Sequence, residues 1–155
     1  MSKQSKNRVD PLRNFRFLIS IENITIAGFS EASGLEQSIE TEDYKEGGNG
    51  FIHKLPIGIK YSNLILKRGL SDTQELWQWY QQIITAIQYK KPLMQHKKNI
   101  NLLILDIDGK KTEWLFKFSK AYPIKWTGAS FDAKGNGIAI ETLEFVHEGF
   151  EVIKR

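Results

Sequence analysis

The sequence predicts a mainly β domain, a β-sandwich or open barrel with one packed α-helix. Three observations carry that reading. Several short runs alternate apolar and polar residues with a period of two, a single stretch follows the helical period, and no βαβ unit repeats along the chain. The 155 residues fit one domain, 1–155, which at this size buries roughly two thirds of the surface of its unfolded form. A hydrophobic share of 41% beside 26% charge is ordinary globular composition and argues against disorder except at the ends.

Phe15, Phe17, Ile19 and Ile21 alternate with Arg16, Leu18 and Ser20, which predicts a first strand with one buried face. The chain then turns near 23–25. Residues 39–44 form a weaker strand candidate leading into Lys45-Glu46-Gly47-Gly48-Asn49-Gly50, where three glycines mark a flexible excursion. Residues 59–66 predict another strand with a change of phase: Ile59 and Tyr61 lie on one face, Leu64 and Leu66 on the other. Either a bulge sits at Ser62-Asn63 or both faces are covered.

Residues 71–88 predict the helix, with Ser71 or Asp72 as N-cap and Gln74 or Glu75 completing a capping box. Leu76, Tyr80, Ile83, Ile84 and Ile87 form its apolar stripe, flanked by Trp77 and Trp79. Core or subunit contact accounts for the two tryptophans better than an aromatic binding platform. Strands at 100–105 and 114–118 bracket Asp106-Ile107-Asp108-Gly109-Lys110, whose Asp-Gly is a hairpin signal. Strands at 122–126 and 138–146 complete about seven, the last with a second slip of phase between Ile140 and Leu143.

The composition excludes several chemistries. With no cysteine there is no disulfide scaffold, thiolate metal site or thiol nucleophile. His53, His96 and His147 are scattered without a second ligand type at metal spacing. Asp106-x-Asp108-Gly109 opens like a calcium loop, but Lys117 occupies the position of its closing acidic ligand. Gly47-Gly48-Asn49-Gly50 lacks the Gly-Lys-Ser/Thr ending of a phosphate loop, no serine sits in a nucleophile elbow, and Glu141 and Glu144 fall on opposite strand faces. No catalytic constellation or cofactor site is expected. No apolar run approaches the roughly 20 residues of a membrane span, so the chain is expected to be made in the cytoplasm, which the resemblance given below implies to be bacterial, without membrane anchoring. The net charge of +4 is modest and concentrated in the N-terminal segment and at Lys90, Lys91, Lys97 and Lys98, as on an ordinary solvated surface.

A series of phrases in order along the chain resembles the tail tube family of contractile phages, including the inner tube and tube-initiator proteins of extracellular contractile injection systems. They are Asp10-Pro11 with Phe15-Arg16-Phe17, Gly28-Phe29-Ser30-Glu31 with Ser33-Gly34-Leu35, Tyr44-Lys45-Glu46-Gly47, His53-Lys54-Leu55-Pro56 and Leu66-Lys67-Arg68-Gly69-Leu70. Leu76-Trp77-Gln78-Trp79, Ala121-Tyr122-Pro123, and Ala139-Ile140-Glu141-Thr142-Leu143-Glu144 running to His147-Glu148-Gly149 continue the series. The resemblance implies a structural protein without enzymatic activity or cofactor. It further implies six-membered rings of β-domains joined into one barrel around a lumen and stacked into a tube. Implied partners are further copies of the chain, a sheath protein, a baseplate hub or tube-initiator protein, and cargo in the lumen.

On that reading ring stacking is expected in the 45–56 loop and in a flexible basic arm at residues 1–12, both ordering on assembly. The expected assembly contacts are Arg8, Arg13, Lys45, Glu46, Gly47, Gly48, Asn49, Gly50, Phe51, His53 and Lys54. The helix is expected on the outer wall facing the sheath, because a helix cannot join a strand-closed barrel. The alternative within the family is a tube initiator or terminator at the baseplate or cap end. From another class, a nucleic-acid-binding β-domain would use the basic segments and β-surface aromatics, and would bind with steep salt dependence.

Overall fold

In a computed structural model the described residues are 16–24, 28–48, 50–69, 74–105, 111–131, 133–135, 137 and 139–154. Among them nine strands and one α-helix follow in order: β1 (Phe17–Ile21), β2 (Glu31–Ser33), β3 (Gln37–Lys45), β4 (Ile52–Tyr61), β5 (Leu64–Gly69), α1 (Glu75–Gln88), β6 (Lys98–Leu105), β7 (Lys111–Thr127), β8 (Ile140–Val146) and β9 (Phe150–Lys154). All pairings are antiparallel. Seven strands connect in the order β1-β6-β7-β8-β5-β2 with β9 on β7, while β3 and β4 pair with each other.

The 17-residue β7 organises the whole molecule. Its first part pairs with β6 and β9, and its last part, from Tyr122 onward, pairs with β8. The strands therefore form two halves, β1-β6-β7-β9 and β2-β5-β8-β7. The corner lies at Lys120, which adopts a positive φ of 49°. It is held from both sides. Lys120 N–H donates to Asn99 Oδ1 (3.1 Å), Ser119 N–H donates to the Gly149 carbonyl (3.0 Å), and Glu148 N–H donates to the Ser119 carbonyl (2.9 Å). The strands expected separately at 114–118 and 122–126 are thus one bent strand.

Alternation explains the core. Ile19 and Ile21 of β1, Ile100 and Leu102 of β6, and Phe118 of β7 point inward from one half; Leu64 and Leu66 of β5 with Leu143 and Phe145 of β8 point inward from the other. Leu76, Trp79 and Ile83 of α1 complete the same cluster. The phase change expected in 59–66 is neither a bulge nor a doubly covered strand. The chain breaks at Ser62-Asn63, so that Ile59 and Tyr61 belong to β4 while Leu64 and Leu66 begin β5. The slip near the end has a different cause: Ile140 is exposed on the outer face of β8, while the inward position beside it is taken by Glu141.

That carboxylate is buried opposite Arg68, its register partner on β5, and the two form an ion pair. Trp126 Nε1 donates to the second carboxylate oxygen (3.2 Å). Burial without such partners would be strongly unfavourable.

In α1 the buried stripe is Leu76, Trp79, Ile83 and Ala86, rotated from the expected one; Ile87 is exposed and Trp79 is core. Trp79 packs on Phe145 at 5.5 Å between ring centroids and donates its indole N–H to the His96 carbonyl (2.7 Å). The helix starts at Glu75 with Gln74 at the cap position and no side-chain cap bond, so the capping box is not formed there; Ser71 and Asp72 lie outside the described residues. It ends in a Schellman turn. Lys90, at φ 52°, donates to the Ile87 carbonyl and Lys91 to that of Ala86, one residue before Pro92. The Asp106-Gly109 turn lies outside the described residues, but Leu105 faces Lys111 across it, as the hairpin reading requires.

Candidate functional site: the hairpin and the open sheet edges

The most exposed ordered feature is the β3-β4 hairpin. Nine residue pairs run from Gln37 opposite Tyr61 to Lys45 opposite Ile52, with a register shift after Glu40 that leaves Ile57 as the extra residue. The segment expected as a loop over 45–56 is therefore half paired strand, Lys45 and 52–56, and β3 and β4 are joined through 46–51. The misreading has a physical cause: with no core beneath it, the hairpin shows no alternation of buried and exposed residues. Ile39 is 66% exposed, its cross-strand partner Ile59 60%, and Phe51 at the turn 73%. Ile52, Leu55 and Ile57 are exposed as well. A paired ribbon with this much apolar surface in water marks an interaction surface.

The expected contact residues distribute along it. Lys45 closes the ladder, Glu46, Gly47, Gly48, Gly50 and Phe51 make the turn, and His53 and Lys54 stand on β4. Lys54 Nζ meets Asp43 Oδ1 at 2.9 Å directly across the ladder, and His53 Nε2 lies 3.8 Å from Glu46 Oε2. Asn49, Arg8, Arg13 and the 1–12 arm lie outside the described residues.

The root of the hairpin is built tightly. Gly34, at φ +87°, brings its Cα so close to the Ser62-Asn63 corner that a Cβ would lie 1.9 Å from the Asn63 carbonyl oxygen. Ser62 N–H donates to the Glu36 carbonyl, and the Ser62 hydroxyl donates to Glu36 Oε2 (3.0 Å). Tyr61 packs against His147 and Phe150, over Gly149 at φ +126°. His147 is half-buried: its Nδ1 accepts the Gly149 N–H (3.1 Å), so Nε2 carries the proton given to the Ser62 carbonyl (2.9 Å).

A second feature is the half-sheet β2-β5-β8-β7. Its order ends at β2 on one side and at residues 122–127 of β7 on the other, and among the described residues no strand pairs with either outer edge. Open edges offer rows of backbone donors and acceptors to another chain. The outward face shows two rungs fixed by register: Glu31, Lys67, Thr142 and Thr127, then Ser33, Ile65, Glu144 and Lys125. Neither edge was legible beforehand, since β2 has three residues and no apolar pattern.

Among the described residues no group of three or more His, Asp or Glu could hold a metal, and no helix is long and apolar enough to cross a membrane. An open groove of about 630 Å³ runs beside α1, lined by Gln74, Gln78, Gln81 and Gln82 with Trp77 and His96. It contains no nucleophile paired with a base. Trp77 leans edge-on against Trp126 at 4.7 Å and forms no flat platform with the buried Trp79.

Residues 13–151 match the family model of the T4-like virus tail tube protein gp19. The chain belongs to this family. It is a structural tail tube protein and not an enzyme. Among solved structures, this tail tube protein is similar to a chain of the PVC sheath-tube complex, an extracellular contractile injection system in the extended state. That match has a TM-score of 0.80 and 26% identity, covering 100% of this chain and 99% of that one. The tube-terminating cap of the anti-feeding prophage matches with TM-score 0.80 and 25% identity over 94% and 93% of the two chains. Hcp1 of Flavobacterium johnsoniae shares the fold at TM-score 0.62 and 14% identity, over 89% of this chain and 94% of that one. No curated protein matches the chain.

Proposed function

We propose that this tail tube protein is the repeating inner-tube subunit of a contractile phage-tail-like injection particle, forming stacked hexameric rings around a lumen. The observation that carries the reading is the pair of unlike open edges on one half-sheet. The β2 edge and the 122–127 edge of β7 lie at opposite ends of the same sheet and cannot meet within one chain. A head-to-tail copy satisfies both, and a heterologous contact of this kind closes into a ring when the rotation per subunit fits. The number six rests on the family resemblance.

The hairpin then supplies the contact between rings. Its turn residues Glu46, Gly47, Gly48, Asn49, Gly50 and Phe51, with Lys45, His53 and Lys54 beside them, dock on the adjacent ring together with Arg8 of the basic arm and Arg13 just after it. Residues 1–155 act as one domain. Each interface has to bury more than about 1,000 Å² to be stable. The PVC match, covering both chains almost completely, comes from a sheath-tube complex and supports a sheath around the outer wall, where α1 presents its polar face.

Electron microscopy over a concentration series tests the proposal: uniform rings or tubes are expected from the purified protein. Deleting 47–50 is expected to leave the monomer folded and to stop tube growth. Normal tubes from that variant would remove the hairpin from the stacking contact. A second reading, a tube terminator, is favoured by the cap match, whose TM-score equals that of the PVC chain. A terminator would stay dispersed alone and bind only to the end of preformed tubes.

A further inference from the structure

The register that fixes the sheet also fixes the wall of the channel, and its chemistry selects what passes. We infer that the outward face of β2-β5-β8-β7 lines the lumen as a self-neutralised surface, suited to a polypeptide of low net charge and not to a nucleic acid. This rests on the tube reading above.

The assignment follows from which face is free. The inward face of this half is filled by Leu64, Leu66, Leu143 and Phe145 against the helix and the other half-sheet. If the two open edges pair from copy to copy, the outward face alone can look into the bore. Its charged groups are two lysines and two glutamates. Lys67 Nζ lies 3.6 Å from Glu31 Oε2, and Lys125 stands opposite Glu144 in the ladder. Glu144 also accepts the Asn63 side-chain N–H at 3.1 Å. The chain's excess of +4 therefore comes from residues elsewhere in the sequence.

A polyphosphate backbone binds by displacing its counterions with cations, and here each lysine already faces a carboxylate. Bases need aromatic faces to stack on; the large apolar residue on the two rungs is Ile65, and Tyr122, on the next rung opposite Val146, packs against the core with Lys97 Nζ 5.7 Å from its ring centre. What remains is a shallow concavity of about 350 Å³ walled by the hydroxyls of Ser33, Thr127 and Thr142 with Ile65, Lys67, Lys125 and Glu144, the charge of Lys67 being met by Glu31. Such a wall offers a mixed-charge polypeptide weak contacts of both signs and no strong one that would hold it in place.

The chain has no cysteine, so single cysteines report location directly. Thr142→Cys on the proposed wall and Gln82→Cys on the exposed side of α1 are treated with a bulky polymer-linked maleimide, as monomers and as tubes. The expected result is labelling of both monomers, and loss of labelling at 142 alone in tubes. Should Thr142→Cys not fold, Lys125→Cys takes its place. Tubes are then assembled with a fluorescent single-stranded oligonucleotide or a fluorescent unfolded polypeptide of near-zero net charge, followed by nuclease or protease.

Protection of the polypeptide and digestion of the oligonucleotide are expected. The Glu31→Gln/Glu144→Gln variant, which leaves two lysines per copy without carboxylates, is expected to gain salt-sensitive oligonucleotide protection. Tubes in which position 142 labels as readily as position 82, or wild-type tubes that protect the oligonucleotide, would overturn the inference while leaving the tube intact. Absence of tubes at every concentration would overturn the tube reading and this inference with it.

Discussion

Replacing Glu141 by Leu tests whether the buried ion pair is an integral part of the fold. Arg68 and Glu141 are 4% and 6% exposed, lie opposite each other on β5 and β8, and share the carboxylate with the Trp126 indole. Removing the carboxylate takes the Glu141 charge away from a buried guanidinium, a change that typically costs about 3–5 kcal/mol. At about 2–4 °C per kcal/mol for a chain of this size, the melting temperature falls by roughly 10 °C. The double variant Arg68→Met/Glu141→Leu removes both charges and fills similar volume. In it the Trp126 N–H loses that acceptor, about 1–3 kcal/mol. Urea denaturation of dilute, unassembled protein, compared at equal m-value, measures each difference. A single variant within about 1 kcal/mol of wild type, or a double variant as damaged as the single one, would refute the reasoning.

Other substitutions address the core and the hairpin root. Leu66→Ala, at a position with no exposed surface, is expected to cost about 2–5 kcal/mol in the same assay, and Leu66→Asp to abolish cooperative folding. Gly34→Ala places a methyl carbon against the Asn63 carbonyl in a left-handed backbone conformation. The conformation alone costs about 1–2 kcal/mol, so a larger loss is expected, together with raised hydrogen exchange at the Ser62 amide. Trp79→Phe, which gives up the bond to the His96 carbonyl, is expected to lower stability by about 1–3 kcal/mol while leaving tube formation intact.

Where the chain buries one face of a strand, the sequence revealed it. Phe17 to Ile21, Ile100 to Leu105 and Leu143 with Phe145 alternate because a core lies on one side of them. The hairpin was only half legible for the opposite reason: Ile39, Ile59 and Leu55 answer to no core in this chain, and glycines at 47, 48 and 50 extended the apparent loop beyond its six-residue turn. The break at Ser62-Asn63 surfaced as a change of phase without its cause, since a corner and a bulge shift parity alike. In the helix, Trp79 could not be separated from Trp77 by type, and only the rotation of the stripe placed one inside. The open edges of β2 and β7 were out of reach, because an edge is defined by which strand is missing beside it.

The course of β7 has a mechanical consequence. One unbroken backbone serves as a rung partner in both halves, and its corner is fastened on either side by Asn99 and by the 148–149 turn. A shear load on one layer therefore meets rows of ladder hydrogen bonds stressed together, with no slack connector to stretch first. A domain wired in this way shifts as a block when pushed along its axis, and a tube built from such blocks behaves as a stiff rod.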